Sequence, residues 1–551
     1  MSSRLADYLN KYLDGVAVSA PEVLRRYAND GSVLDISPEV VVQPVGTTDV
    51  RKTVLLSSQL AEKGLRVSVT PRGSGSDKTG AAIGDGIVLD MRRYMNRIIS
   101  VDPRQRLVHV QAGATISEVN KALQPHGLCL PLTLMGFENP ELNDQNHTIG
   151  GLIANNLGGQ ALPRLGRLVD YLVQLEVVLA DGSVYHTTSL SGRKLKTIGV
   201  ETTKGKEEAP SFADRINAGM YKFVRENSEV LAELRARRVG NTGYLYGMTQ
   251  VGDAEKSLNL MPLFLGSQGS LGVITEVILS VDYLGPSPDL MVAKFDNVKQ
   301  ALAFAGDALS ENPSILNLAD GRLFAEAGKS GKSFLPLGGL PDSTLVMLVG
   351  FDDSSAKHRQ KKIRNLSKIL TKNDISYVSS LRQEFNEEYF NSILKAALNR
   401  VERNTVQAPI LDGVIVPFQS VEKYLNGLPR LERLLDNKLM AYGSLITDLW
   451  TVRPEVDFTG ADKRPILRLA REYGRFVLEC DGILAGEGGE GRVKAVSSLV
   501  RRNDFADSVD RFVKKQFDPR GIMNAGVKQT ITVDQVMEQI RRDNDFGIME
   551  L

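Results

Sequence analysis

The chain has 551 residues and carries 67 Lys and Arg against 66 Asp and Glu, a formal charge of +1 with histidines neutral. That length calls for two or three domains, and the balanced charge lacks the cationic excess that holds nucleic acid. Two cysteines, Cys129 and Cys480, exclude a disulfide framework, a four-thiolate zinc site and an iron-sulfur cluster.

Residues 1–37 read as a helical arm, with Leu5, Tyr8, Leu9 and Leu13 at helical spacing and a second start at Pro21. From Val40 the pattern alternates: VVVQP as a strand, 49–64 as a helix, LRVSVTPRG as a strand. Further strands are expected at 87–90, 107–111 and 174–180, and Thr115 with Glu118 forms a capping box for a helix. This first domain is expected over 38–282. Within it, 191–260 is polar and charged and reads as a mobile insertion rather than core. Strand, helix and strand return at 291–295, 298–310 and 345–351, followed by a helical region at 355–400 and strands at 414–418 and near Leu445, an α+β domain over 283–463. Residues 464–530 read as helical apart from GILAGEGGEGR, and 531–551 as a polar tail. The opening residues lack a secretory pattern and no apolar stretch is long enough to span a bilayer, so a cytoplasmic location is expected, with peripheral membrane contact left open.

The 50 glycines are clustered. PRGSGSDKTG at 71–80 follows a strand and can present successive N–H groups to a phosphate, although a flexible surface loop has the same composition. It matches neither GxGxxG nor the P-loop pattern. HTIGG at 147–151, NNLGG at 155–159 and GSQGSLG at 266–272 repeat the theme. Several such clusters in one domain imply one long ligand touched repeatedly by backbone, and a dinucleotide has that length.

These segments resemble the FAD-binding domain shared by vanillyl-alcohol oxidase, the flavin-carrying subunit of glycolate oxidase and the FAD-linked D-lactate dehydrogenases. The resemblance is carried by Tyr27, Asp30 and Ser32, by 38–44, and by Arg72, Gly73, Ser74, Gly75, Ser76 and Gly80 as the pyrophosphate loop. It continues through QAGAT at 111–115 with Gly113, then Thr148, Ile149 and Gly151 with Asn155, Gly158 and Gly159, then LEVVLADG at 175–182. GSQGSLGVIT with Gly266, Gly272, Val273 and Ile274 follows, and FDPRGIMNAG at 517–526 with Asn524 closes the series. The resemblance implies a two-part FAD-binding domain, an α+β substrate (cap) domain and a helical C-terminal segment returning to the first domain. No histidine lies between 71 and 90, so the FAD is expected to be noncovalent.

In metal-assisted relatives the cap carries histidine ligands, but here Ser444 and Thr451 stand at two of those positions and Gly488 replaces a third histidine, the expected base. No metal site is therefore expected. Replacements for the base are Glu487, Glu490, Asp448 and Tyr442, and an ion pair with Arg492 or Lys494 explains each glutamate equally well. Arg453 is the better candidate clamp for a carboxylate, since a guanidinium offers parallel donors, whereas Arg400 and Arg403 fit solvated helix charges as well. His147 fits either a place beside the flavin or loop packing, and Trp450 either core or a flat wall. Asn241 and Tyr244, with Arg237 and Arg238, resemble the family's segment before the GSQGS strand. The implied function is an FAD-dependent oxidoreductase taking hydride from an organic alcohol, most of all a D-2-hydroxy acid such as D-lactate or glycolate, onto flavin N5. Reoxidation would be by quinone, another carrier or oxygen. A sugar or phenolic alcohol, or a non-catalytic FAD-binding subunit, are the alternatives, and a homo-oligomer is compatible with all of them.

Overall fold

The computed structural model describes residues 2–130, 146–157, 167–203, 210–236, 240, 242–329, 344–381, 405–410, 412–486, 488–495, 504–529 and 532–544, with parts of 390–402. Short runs rich in Val and Ile build the first sheet, whose strands Val40–Gln43 and Val69–Arg72 both pair parallel with Ile87–Asp90. All four residues of Ile87–Asp90 are buried, as a central parallel strand requires. The helix Thr47–Glu62 makes the first crossover, and its Val50 and Val54 pack into the sheet's apolar cluster.

A second, antiparallel sheet places Val273–Ser280 between Leu107–Gln111 and Leu172–Val178. From Glu276 on, Val273–Ser280 alternates, Val277 and Leu279 facing the core while Glu276 and Ile278 are only partly buried. The helix Ile116–Leu123 carries the complete capping box between Thr115 and Glu118 and buries Ile116, Val119 and Leu123 against this sheet.

The third sheet has seven strands, ordered Tyr377–Ser379, Asp289–Phe295, Leu345–Phe351, Ile315–Asp320, Ala441–Ser444, Leu449–Val452 and Val414–Ile415, all antiparallel. Helices Val298–Ser310, Ala356–Lys372, Val421–Leu435 and Arg464–Glu479 cover one face with a large apolar cluster that includes Trp450. Trp450 is thus core. The opposite face carries a smaller cluster with Leu323, Phe324, Phe390 and Tyr442.

Two expectations need correction. The 191–260 stretch is not a polar insertion outside the core. Its helix Phe212–Glu226 buries Ile216, Met220 and Val224, and Leu195, Leu231, Tyr244 and Met248 join the same cluster under the second sheet. The charged residues occupy the outer faces of amphipathic helices, and the apolar stripe at i, i+4, i+8 decides the packing. Nor is the end of the chain only a polar tail. Thr532 and Gln535 form a capping box for Val533–Gln539, Val536 and Ile540 enter the large apolar cluster, and Ile540 bridges to Leu34 in the leading arm. Among the described residues no helix is long and apolar enough to cross a membrane.

Candidate active site

The loop that follows Val69–Arg72 is shaped by its own side chains. Asp77 Oδ1 accepts from Thr79 N (2.7 Å), Thr79 Oγ1 (2.8 Å) and Ala81 N (2.9 Å), which closes the loop's far end. Arg72, 4% exposed, closes the near end: its Nη1 donates to the Asn29 carbonyl (2.8 Å) and its guanidinium lies 5.4 Å from the Tyr27 ring centroid. Gly75 has φ +72°, and a Cβ there would lie 2.3 Å from Arg72 Nη2, so glycine is required on both counts. Between these anchors the backbone N–H groups of Gly73, Ser74, Gly75 and Ser76 have no acceptor among the described residues. The Nε–H of Arg72 is likewise buried without a partner.

The residues that carry these donors line a cavity of about 70 Å³. Its lining brings together residues from each glycine-rich segment: 72–76, then His147, Thr148 and Gly151, then Asn155, then Gly272, with Ile274 just beyond it. Gln268 and Gly269, which the motif reading passes over, line it too. Thr148 caps the helix Ile149–Asn155 by accepting from Gly151 N (3.2 Å). Backbone approaches within the walls are close. A Cβ at Gly73 would lie 2.1 Å from Thr148 Oγ1, and one at Gly113 would lie 2.0 Å from the Met91 carbonyl oxygen. Ile149 N donates to Ala114 O (2.8 Å), Gly266 N to Ile153 O (3.0 Å), and Val273 is core. A row of unpartnered N–H donors, an orphaned buried guanidinium N–H and a glycine-lined trough fit the diphosphate of a dinucleotide.

Gln268 joins the walls. Its Nε2 lies 3.1 Å from Asp77 Oδ2, 2.8 Å from Thr79 Oγ1, 2.9 Å from Asn155 Oδ1 and 3.0 Å from the Gly488 carbonyl, while its Oε1 accepts from Gly491 N (2.8 Å). Two amide hydrogens are therefore shared among four acceptors. Asn524 performs the same service from the end of the chain: its Nδ2 donates to the carbonyls of Ala81 (2.8 Å) and Gln268 (2.6 Å), and its Oδ1 accepts from Thr70 Oγ1 (3.0 Å). Arg492 donates to the carbonyls of Gly80 and Ala525 (2.6 Å to the latter), and burial lowers its pKa to about 10. Burial beside Asp77 raises the Asp30 carboxyl well above the usual carboxylate range.

His147, 5% exposed, sits on the cavity wall with Nδ1 3.3 Å from Ser76 Oγ. Burial first, and the Lys78 ammonium second, lower its pKa to about 4, so it is neutral at physiological pH. Lys78 reaches from the loop to Asp412, whose Oδ2 accepts from Lys78 Nζ (3.0 Å) and from both Nε (3.1 Å) and Nη2 (2.9 Å) of Arg453. Lys494 Nζ donates to the Asp412 backbone carbonyl. Burial alone would raise the Asp412 carboxyl, but Arg453 and Lys78 outweigh it and hold it below the usual range. Arg453 is therefore 1% exposed and seated on a carboxylate of its own chain, a partner that the sequence pattern does not reveal.

Glu490 is fully buried and its backbone carbonyl accepts from Lys494 N (2.9 Å), Tyr442 is 1% exposed within the smaller apolar cluster, and Asp448 adopts φ +60° with its carbonyl accepting from Val416 N (2.8 Å). Tyr244 is buried and its hydroxyl meets Ser270 Oγ at 2.7 Å. Gly158, Gly159, Glu487, Asn241, Arg237, Arg238, Arg400 and Arg403 lie outside the described residues. Among the described residues no group of three or more His, Cys, Asp or Glu is placed to hold a metal ion.

Fold and cavity together define a dinucleotide-binding protein whose binding domain has two sheets and is covered by a third, antiparallel one. Two family descriptions match the chain in order, an FAD binding domain over 38–188 and the C-terminal domain of FAD linked oxidases over 287–527, and the chain belongs to the FAD-linked oxidases. A D-2-hydroxyglutarate dehydrogenase of Pseudomonas putida is 26% identical over 528 residues, a match that takes in 91% of this chain and 49% of that protein. The chain thus spans about half the length of that relative. Glycolate oxidase subunit GlcD of Bacillus subtilis is 23% identical over 498 residues, covering 89% of this chain and 88% of the relative. Among solved structures, 4-ethylphenol oxidase from Gulosibacter chungangensis superposes with a TM-score of 0.65 at 14% identity, covering 97% of this chain and 98% of that one.

Proposed function

We propose that the protein is an FAD-dependent oxidoreductase that oxidises an organic alcohol bearing a carboxylate, with D-2-hydroxy acids such as D-lactate or glycolate as the leading class. The carrying observation is the junction at Asp412, where Lys78, next in the chain to Asp77 of the cavity wall, meets Arg453, which follows the strand Leu449–Val452. When bound, FAD supplies the hydride acceptor. The N–H groups of Gly73–Ser76 and the Nε–H of Arg72 hold the diphosphate, and Thr148–Gly151 walls it in. Arg453 and Lys78 orient the substrate carboxylate. Glu490, withdrawn from solvent on the glycine segment clasped by Gln268, takes the hydroxyl proton. Ile274, Ala82 and Met91 on the cavity wall exclude water. No covalent link to the cofactor would be needed, and the final electron acceptor would be a quinone, another carrier or oxygen.

The names of the two curated relatives support the hydroxy-acid class. A second reading, oxidation of a neutral sugar or phenolic alcohol, draws on Asn317, whose buried Nδ2 lacks an acceptor and which pairs across the sheet with Ser444. The test is anaerobic mixing of FAD-loaded protein with D-lactate, glycolate, D-2-hydroxyglutarate, sugars and phenols. Loss of the flavin's visible absorbance with the hydroxy acids supports the proposal. Bleaching by sugars or phenols alone selects the second reading, and no bleaching by any of them refutes both.

A further inference from the structure

We propose that the exposed line of cations along the helix Ala356–Lys372 is a docking strip for an acidic segment of a partner protein, laid into the groove between this helix and the strand Tyr377–Ser379. The strip shares no residue with the cofactor cavity, and the proposal does not depend on the substrate.

The chain as a whole is almost neutral, yet this helix carries seven Lys and Arg and no Asp or Glu. Two of them serve packing: Arg359 Nε donates to Asp289 Oδ2 (2.9 Å) and Lys362 Nζ to Asp353 Oδ2 (3.0 Å). The other five, Lys357, Lys361, Arg364, Lys368 and Lys372, are exposed and make no ion pair among the described residues. Steps of four, three, four and four positions place them on one line, which runs about 22 Å at about 1.5 Å per residue. Ile363, Leu366 and Leu370 bury the opposite side of the helix. Folding does not call for this line. Each neighbour along it is a like charge three or four positions away, which weakens a helix, and Lys357 stands in the first turn, where the helix dipole disfavours a cation. Glu311, packed against the same helix, accepts from Asn365 Nδ2 (3.0 Å). Arg364, Lys368 and Lys372 also line a groove of about 810 Å³, to which Ser367, Thr371 and Tyr377 add hydroxyls and no Asp or Glu contributes. Thr371 Oγ1 lies 3.3 Å from the Tyr377 hydroxyl, linking the helix to the strand at the sheet's edge. The line is too long for a single phosphate or carboxylate and matches about seven residues of extended chain at about 3.3 Å each. Nor is it built for a bilayer: the surface is grooved, and among residues 345–381 no large apolar side chain is exposed to enter one. Cations alternating with hydroxyls suit the carboxylates and backbone groups of an acidic polypeptide.

The test uses the full chain loaded with FAD and a fluorescein-labelled octaglutamate peptide, titrated by anisotropy at low and at physiological ionic strength. Wild type should bind the peptide, and more weakly as salt rises. K361E/K368E turns every like-charge neighbour on the line into an opposite pair, so its melting temperature should be equal to that of wild type or higher, with FAD content unchanged. Its affinity for octaglutamate should nevertheless be at least about tenfold weaker, since two attractions become repulsions. K361Q/K368Q, which removes charge without adding any, should fall between the two. The same reversal at the exposed Lys11 and Lys63, K11E/K63E, should leave affinity within about twofold of wild type. Four results overturn the proposal: no octaglutamate binding by wild type, wild-type affinity in both charge variants of the line, an equal loss in K11E/K63E, or a melting temperature several degrees lower in K361E/K368E. Binding of phosphatidylglycerol vesicles that is lost in K361E/K368E, with no binding of octaglutamate, overturns it in favour of a lipid surface.

Discussion

Substituting Gly73 with alanine tests the cofactor cradle at its narrowest point. The new Cβ would lie 2.1 Å from Thr148 Oγ1, 3.2 Å from its Cβ and 3.3 Å from its Cγ2. Ordinary contact needs about 3.5–4.0 Å, so one partner must retreat by more than about 1 Å. Thr148 is held as the N-cap of Ile149–Asn155, so the loop carrying the Gly73–Ser76 N–H groups gives way. Loss of two charge-assisted bonds to the diphosphate at about 1.5–3 kcal/mol each amounts to about 3–6 kcal/mol. FAD affinity should then fall by about a hundredfold to ten-thousandfold. T148G removes the obstructing side chain, and glycine at an N-cap costs only a few tenths of a kcal/mol, so G73A/T148G should recover most of the loss. The assay is fluorescence titration of cofactor-free protein with FAD. Tight binding by G73A, or a double variant no better than G73A, would refute the reasoning.

The surrounding network carries three more expectations. Q268L leaves Asp77 Oδ2, Asn155 Oδ1 and the Gly491 N–H short of a partner, at about 1–3 kcal/mol each, and should lower the melting temperature of the loaded protein by several degrees. A change of less than about one degree would contradict this. Asp30 holds its proton in the folded state at pH values where the unfolded chain releases it. Its stabilisation is therefore complete below about pH 4 and is lost as pH rises through the raised folded value. Cofactor-free D30N should gain stability relative to wild type between about pH 5 and 8, and a pH-independent difference in melting temperature would count against it. His147, with its pKa near 4, should show no imidazole titration by NMR between about pH 5.5 and 8, and an inflection near the ordinary value of about 6.5 would show that it is not desolvated as described.

Much of this fold is legible in local pattern. The strands 87–90 and 107–111, the helix Val298–Ser310 and the Thr115–Glu118 capping box are local events, governed by alternation, helical period and caps, and they fall where the sequence places them. The helices between 191 and 260 are obscured when charge is read before period, although Ile216, Met220 and Val224 stand four apart. Motif reading brings the glycines of 72–76, 148–151 and 272 to one cavity. It misses the side chains that hold the walls together. Gln268 sits inside a recognised motif among glycines, and Asp412 gains its meaning only from Lys78, 334 positions away. No local pattern encodes such a partnership, because either residue alone looks like an ordinary surface charge.

Thr70 and Asn524 share a hydrogen bond across 454 positions, and the carbonyls of Ala81 and Gln268 are both satisfied by that same asparagine. A ribosome adding about 5–20 residues per second would release the first trough wall roughly 20–90 seconds before the residue that braces it. Early in biosynthesis the nascent loop has its amides but not its buttress. The brace is thereby added only when the polypeptide is nearly finished, and a chain cut short before Asn524 would leave the carbonyls of Ala81 and Gln268 without that donor.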